Sequence, residues 1–426
     1  LLWWRSFEDA QLTNLIEKGV ATNYSVAQAV SRINQSRALA NVAFSELLPG
    51  ALLNGSYVKA EESGSRFPGG GPFTYEVYSA SVDASWELDI FGRLRRELEA
   101  RNAVYDGQIA DLHDVVRMVI TEIAMTYIDL RGAQSQLKIS QNNKALQADS
   151  LKLVQTKFKF GEVSELDVVR AKNQLAGVEA SIPPLAAAVK THLHRLAVLV
   201  GMEPTSLYEE LAKPQGIPVF KGPMSIGTPK ELLRDRPDIR VAERQLAAST
   251  ARIGVATGEL FPKLQVRGSL GMDAPKFSDL STNRTFNSFG PSISWAAFDL
   301  GRLRYEIRRA DKAAEEALLH YEETLLKAFE DVENSFVNYT SEQQRTEQLT
   351  IAEDSARRAY RIANDQYKEG ALDFLSVLDT QRTLLESESQ SIDGAKRRAQ
   401  ALVGIYKALG GGWHGWELSA GTSPEA

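Results

Sequence analysis

Two oppositely charged side chains, Asp379 and Arg382, stand out in the segment FLSVLDTQR (Phe374–Arg382). With Leu375 they fall at i, i+4 and i+7, a spacing that places all three on one helical face. By itself, an acid and a base at i, i+3 make a surface ion pair contributing tenths of a kcal/mol. Other candidate chemistry falls away on spacing. His192 and His194 are i, i+2 and face different ways on a helix, so they are no metal pair. The segment GVATGE (Gly254–Glu259) lacks the Gly-Lys-Ser/Thr ending of a phosphate loop. Glu315–Glu316 and Glu322–Glu323 read as a solvated helix face. The chain has no cysteine, which excludes thiol chemistry, disulfides and cysteine-ligated zinc. No convergent catalytic set emerges, so the chain reads as a non-enzyme without cofactor or metal.

The element that must position Leu375, Asp379 and Arg382 belongs to the second copy of a duplicated unit. Trp86–Arg95 (WELDIFGRLR) matches Trp295–Arg304 (WAAFDLGRLR), with the tryptophans 209 residues apart (295 − 86). The same shift carries Gly161 onto Gly370 and Gly201 onto Gly410. Upstream the register slips by four: Pro49 in ELLPG meets Pro262 in ELFPK, 213 residues apart (262 − 49). One offset held over such a distance marks a tandem duplication.

Each copy shows the same internal order. In the first, residues 25–47 predict a helix ending before Pro49, and ALLNGSYVKA (51–60) predicts a strand. The turn-rich EESGSRFPGGGPF follows. Then Tyr78, Ala80, Val82, Ala84, Trp86 and Leu88 alternate with Ser79, Ser81, Asp83, Ser85, Glu87 and Asp89, a strand with one apolar and one wet face. In the second copy Leu264, Val266, Gly268, Leu270 and Met272 alternate with polar neighbours. After the polar turn SDLSTNRT, so do Phe289, Pro291, Ile293, Trp295 and Ala297. Trp86 and Trp295 close their apolar faces as membrane-interface aromatics do.

Long helices complete each copy. Arg93–Lys159 lacks proline and would span about 100 Å at ~1.5 Å per residue. Val115, Val119, Ile123 and Tyr127 form one i, i+4 row; Val116, Ile120, Ala124 and Ile128 form the next. Arg302–Lys368 predicts a matching rod. Both rods end at a glycine suited to a tight reversal, Gly161 and Gly370. Return helices are predicted near 164–200 and 372–409, the first broken or bent at Pro183–Pro184, where the second carries Ile392–Asp393.

Composition narrows the class further. The 426 residues would ordinarily suggest about three domains. Only 15 prolines, 43% hydrophobic and 24% charged residues indicate one ordered, helix-rich protein instead. Net charge −6 with mixed signs provides no basic face, which argues against nucleic acid as a partner. Absence of cysteine suits a periplasmic or extracellular life. The chain begins LLWWRSFEDA without Met or signal peptide, as expected of a processed or truncated form. No run approaches the ~18 apolar residues of a membrane-spanning helix, so any crossing requires a barrel. Four strands cannot close one, since about eight is the practical minimum. Two chains would give eight strands and a barrel filled by its own side chains; three would give twelve and a lumen.

At this point the residues resemble a known family. LLRDRPDIRVAERQLAASTARIGVATGELFPKL (Leu232–Leu264) is very similar to the hallmark segment of the TolC/OprM-type outer-membrane efflux proteins. FDLGRLR and the paired glycine turns match that family too, and the resemblance runs from about Trp4 to Leu409. It implies a fold class mostly α with a small β part: a tandem-repeat protomer of an obligate trimer, forming a 12-stranded outer-membrane β-barrel continued by a 12-helix periplasmic α-barrel. Repeat one is expected over 1–204, an irregular equatorial linker over 205–230, repeat two over 231–412 and a flexible tail over 413–426. The barrel would come from 50–90 and 262–300, and the periplasmic tips would lie near 155–170 and 364–382.

The resemblance also implies a role. Such proteins sit in the outer membrane of a Gram-negative bacterium and extend into the periplasm. They are the passive exit ducts of tripartite pumps for drugs or other small molecules. Their partners are a periplasmic adaptor (membrane fusion protein), an energised inner-membrane transporter of the RND type, and outer-membrane lipid. The subgroup is commonly lipid-anchored through an N-terminal cysteine; none occurs here, and an anchor would lie upstream of Leu1.

By that resemblance, Leu375, Asp379 and Arg382 match positions lining a periplasmic constriction, and three copies of Asp379 would form an anionic ring favouring cations. Asp167 and Tyr367 match positions whose side-chain bonds hold the family's iris shut. Leu372 stands where some relatives carry an arginine lock. Phe160, Gly161, Glu162, Glu369, Gly370 and Ala371 align with adaptor-contacting tips, although plain helix reversal explains the glycines equally. The rival from another class is a non-pore coiled-coil scaffold of the cell envelope, which the long helices fit and the alternating strands do not. The adaptor itself is a third reading, against which stand two helical hairpins per chain.

Overall fold

The computed structural model describes residues 2–62, 72–220, 236–281 and 284–413. Most of the turn-rich segment, the linker beyond residue 220, the start of the hallmark segment, part of the SDLSTNRT turn and the tail from 414 lie outside the described residues.

After a 3-10 turn at Trp3–Phe7 come α1 (Ala10–Thr22), α2 (Tyr24–Ser45), β1 (Gly50–Glu62), β2 (Phe73–Leu88) and α3 (Arg93–Lys159). The chain reverses into α4 (Glu165–Leu199) and passes the one-turn α5 (Tyr208–Leu211). It then runs through α6 (Pro237–Gly258), β3 (Lys263–Ala274), β4 (Thr285–Ser294), α7 (Leu300–Lys368) and α8 (Phe374–Ala408). These elements pack as two compact units. One comprises Leu1–Val30, Ala110–Arg240 and Thr324–Ala426; the other comprises Ser31–Ile109 and Val241–Glu323.

The second unit holds an antiparallel sheet of order β1-β2-β3-β4. Its register stacks like on like. Leu53 pairs with Val82, Val82 with Leu270, Trp86 with Val266 and Leu264 with Ile293, giving one apolar face across all four strands. The other face carries Asn54, Ser81, Asp83, Ser269 and Ser288. There Asp83 accepts from Ser81 at 2.9 Å and from Asn54 and Ser269 at 2.5 Å each. The apolar face is uncovered: Leu53 is 82% exposed and Phe289 83%. Tyr57 and Tyr78 face each other at 4.6 Å near its far end. Beyond them β2–β3 pairing has stopped at Tyr78–Ala274, while β1–β2 continues for five more pairs to Glu62–Phe73. On that extension the apolar side gives way to a Lys59–Glu76 ion pair at 2.9 Å.

In the first unit the two expected α3 rows form the core. Every member is buried apart from the half-buried Val115, and Leu12, Ile16 and Leu196 are buried with them. Helix α1 was not expected from the sequence. Asp9 caps it by accepting from Gln11 and Leu12 N–H at 2.9 and 3.0 Å, and Leu12, Leu15, Ile16 and Val20 form its buried stripe. Two further expectations need correction. Pro183 and Pro184 lie inside an uninterrupted α4. The helix is thus not broken there, and both prolines lie at exposed positions, as do Glu179 and Ala180 one turn before them. Strand β4 ends at Ser294, because the chain already turns with Asp299 N–H donating to Ala296 O at 2.9 Å; Trp295 and Ala297 lie beyond it.

The repeats share their joints as well as their elements. Gly161 and Gly370 take φ of 76° and 77°, and Gly201 and Gly410 take 70° and 71°. At each, two backbone bonds close a Schellman turn: Glu162 N–H reaches Lys157 O at 3.0 Å, and Ala371 N–H reaches Gln366 O at 2.9 Å. A polar side chain then ties the end of each return helix. Asn23 donates to Leu199 O at 2.8 Å. Its counterpart 213 residues on (236 − 23), the buried Arg236, donates to Ala408 O at 2.7 Å. Arg236 also pairs with Asp238 at 2.6 Å and Asp331 at 3.1 Å. Burial alone would raise the Asp238 carboxyl, but the Arg236 hydrogen bonds and charge outweigh it and hold it below the usual range.

Unfolding measurements in detergent should rank the joints. Gly161→Ala and Gly370→Ala should each lose about 1 kcal/mol, from the left-handed backbone alone, since nothing lies within 4 Å of an added Cβ. Gly201→Ala and Gly410→Ala should lose more, because that Cβ would meet Thr22 O at 2.6 Å or Arg236 Cγ at 2.8 Å. Arg236→Ala should destabilise by about 3 kcal/mol through the carboxylates and carbonyls left behind. The depressed Asp238 pKa fixes the sign with pH. Its contribution is complete above the unfolded value of about 4 and fades as pH falls through the lower folded value, a loss that Asp238→Asn should lack.

Candidate functional site

The two helix reversals bring most of the sequence-predicted residues to one end of the first unit. An apolar cluster of Val154, Ala171, Tyr367, Phe374 and Val377 holds them. Phe160 projects from the first reversal with 77% exposure. Glu162 beside it is exposed and meets Lys157 at 3.8 Å. Glu369, Gly370 and Ala371 form the second reversal and are likewise exposed. Lys157, which the sequence reading missed, links the two: its ammonium sits 4.6 Å over the Tyr367 ring and 3.5 Å from Tyr367 O. Its position in the last turn of α3, opposite an aromatic 210 residues away, left no local signal to find it by.

Helix α8 divides its faces sharply here. Phe374, Val377, Gln381 and Leu384 are buried, while Leu375, Asp379 and Arg382 lie together on the exposed side. Asp373 starts the helix by accepting from Ser376 N–H at 2.8 Å. The i, i+3 ion pair is not formed: among the described residues Asp379 and Arg382 have no charged partner, and only the Asp379 carbonyl is engaged, by Thr383 at 3.0 Å. Both charges thus remain open to groups outside the protomer.

Asp167 and Tyr367 are near one another but not bonded within the chain. Asp167 completes a capping box on α4, accepting from Ser164 Oγ at 2.8 Å and Ser164 N–H at 3.2 Å, with Arg170 at 3.7 Å. Tyr367 is 4% exposed, and its hydroxyl has no hydrogen-bond partner among the described residues. Burial raises its pKa, and the Asp167 and Glu162 charges raise it further. Gln381, 2% exposed, is likewise unpartnered at both side-chain polar atoms. Leu372 is half-buried at the second reversal.

The two tryptophans expected at a membrane interface, Trp86 and Trp295, sit in the other unit. Trp86 Nε1 donates to Leu47 O at 2.9 Å, and Trp295 Nε1 to Leu260 O at 3.0 Å. Each acceptor lies two residues before a proline, Pro49 or Pro262, so the same bracket occurs in both repeats. Among the described residues no group of acids and histidines is arranged to hold a metal ion, and no helix is long and apolar enough to cross a membrane. His192 is half-buried, and burial lowers its pKa. His194 stacks on Tyr208 at 5.5 Å and shares a hydrogen bond with its hydroxyl.

Comparison with known proteins decides the family. The outer membrane efflux protein model matches twice, at residues 15–202 and 228–411, once for each repeat. The chain belongs to the outer membrane efflux protein family. It is similar to nodulation protein T of Rhizobium leguminosarum bv. trifolii, with 32% identity over 97% of this chain and 88% of that protein. It is also 32% identical to the pyoverdine export outer membrane protein OpmQ of Pseudomonas aeruginosa, over 96% of this chain and 87% of that one. The solved structure of the outer-membrane channel OprN superposes with a TM-score of 0.91 at 38% identity, covering 97% of this chain and 92% of OprN. The mostly helical protomer with a small antiparallel sheet is therefore the fold of this family of channels.

The orphaned hydroxyl makes a sharp test. Tyr367→Phe removes a buried polar atom that bonds nothing among the described residues, so the variant should be as stable as the parent or up to about 1 kcal/mol more so. A thermal melt showing clear loss would mean that another copy supplies the missing partner.

Proposed function

We propose that this protein is the outer-membrane exit duct of a tripartite efflux pump. Three copies close a barrel through which small molecules leave passively. The observation that carries the reading is the sheet. One face is largely apolar and exposed, the other is mostly polar where all four strands pair, with Leu52 and Phe286 as exceptions, and among the described residues β1 and β4 keep free edges. A scaffold in water would hide such a face, whereas lipid accepts it. In lipid, open edges require neighbouring strands. Three copies supply twelve strands and leave a lumen, which two copies would not.

In this reading α3 and α7, with α4 and α8, continue the duct into the periplasm. The exposed Leu375, Asp379 and Arg382 line its constriction. An anionic ring of Asp379 favours cations. Ion pairs between copies, open to both Asp379 and Arg382, keep the ring narrow. The exposed Phe160, Glu162, Glu369 and Ala371 meet a periplasmic adaptor, and its binding shifts the closed–open equilibrium. Energy comes from an inner-membrane transporter of the RND type. OpmQ is named for pyoverdine export; small organic molecules are the cargo class proposed here.

Single-channel recording in planar bilayers tests this directly. The parent should show a small, cation-selective conductance. Asp379→Ala with Arg382→Ala should conduct several-fold more and lose most of that selectivity. Equal, large conductances would keep the duct and move the gate away from α8. Inserted protein that never conducts would sink the reading.

A further inference from the structure

The sheet-bearing unit contains a groove that conduction does not use. It lies between the first turns of α3 and the last turns of α6, with a volume of about 640 Å³, and Phe91, Arg95, Arg96, Glu99, Thr257 and Phe261 line it. Phe91 and Phe261 stack with centroids 4.6 Å apart and planes within 10°, yet both remain exposed, making an apolar ledge at the rim. Gly254 forms part of the floor. A Cβ there would come within 2.8 Å of Arg96 Cγ, so its absence lets the Arg96 stem lie against α6.

Sheet parity shows which way the groove opens. Arg93 pairs with Glu87 at 2.9 Å, and Glu87 lies opposite Gln265 on the polar face. At ~100° per residue, Arg95, Glu99 and Arg96 sit about 200°, 240° and 300° round α3 from Arg93, so Arg95 and Glu99 turn away from the polar face while Arg96 lies at the edge nearer to it. The groove therefore runs along the side of the sheet's end, from Arg96 near the polar face to Arg95 and Glu99 on the apolar side, where Trp86 and its indole bond to Leu47 mark the end of the strands.

Its charges alternate. Arg95 is tethered to Asp89 at 3.1 Å, and Arg96 to Glu99 at 2.6 Å. Each guanidinium keeps N–H groups beyond those its acid uses. Two cations and two acids give no net attraction for a simple anion. They complement a ligand carrying one phosphate and one ammonium, and the aromatic ledge requires that ligand to carry apolar chain as well.

We propose that this groove seats the headgroup of a zwitterionic phospholipid from the adjoining membrane leaflet. The phosphodiester meets Arg95 and Arg96, the ammonium meets Glu99, and the first acyl carbons cross Phe91 and Phe261. This rests on the outer-membrane reading above.

The test is native mass spectrometry of the delipidated full chain in detergent. Palmitoyl-oleoyl phosphatidylethanolamine is added, with phosphatidylglycerol, diacylglycerol and water-soluble glycerophosphoethanolamine as separate arms. Phosphatidylethanolamine should be retained in preference to the other three. Arg96→Ala should reduce that retention roughly tenfold, as expected for losing charge-assisted hydrogen bonds. Gly254→Ala, which displaces Arg96 and leaves its charge, should reduce it as well, and it carries the comparison if Arg96→Ala does not fold. Equal retention by parent and variants overturns the site. So does equal retention of phosphatidylglycerol or diacylglycerol, and equal binding of glycerophosphoethanolamine would make it a site for a soluble ligand. Bilayer conductance separates the failures: a silent parent defeats the duct, while a conducting parent without lipid preference defeats only the groove.

Discussion

An amide or carbonyl without a partner in hydrocarbon costs several kcal/mol, and the outer edges of β1 and β4 each present a row of them. No rearrangement of a four-stranded sheet removes both edges, so the protomer is built for company. The same incompleteness runs down α7. Leu326, Val337, Ile351 and Ile362 are all exposed. They are spaced 11, 14 and 11 residues apart (337 − 326, 351 − 337, 362 − 351), close to whole turns, so they form one stripe. A lone helix of 69 residues has no reason to keep such a stripe in water; a helix packed against a second copy does.

Within the chain, duplication has preserved geometry more faithfully than chemistry. Ser164 and Asp373 both start return helices, one hydroxyl and one carboxylate accepting from the same backbone position. Asn23 and Arg236 both tie off return helices, although one is an amide and the other a cation with two acidic partners. What persists is the demand of a helix end for a partner to its unpaired groups. The glycines persist unchanged because left-handed backbone at a reversal tolerates little else.

That contrast explains what could be read in advance. Strand faces, long helices, reversals and the repeat itself are written in periodicity and in glycine, which are local. The exposed face of Leu375, Asp379 and Arg382 was legible for the same reason. Helix α1 was written as clearly, in Asp9 and the Leu12–Leu15–Ile16 spacing, and simply passed unnoticed among the aromatic residues before it. The Arg236 clamp, the Lys157 bridge and the orphaned Tyr367 hydroxyl join residues far apart in the chain, and no spacing foretells them. Pro183–Pro184 do not break α4, where they and the residues one turn before them, Glu179 and Ala180, are exposed.

The four-residue slip between the repeats also shapes the end of the sheet. The β1–β2 pairing runs five pairs beyond the last β2–β3 pair at Tyr78, and there the side chains of the apolar face turn to the Lys59–Glu76 pair. Three copies in a ring would repeat that Lys59–Glu76 pair three times round one end of the barrel. The charge of one protomer's hairpin thereby becomes a ring of alternating charge, a property that no single copy has.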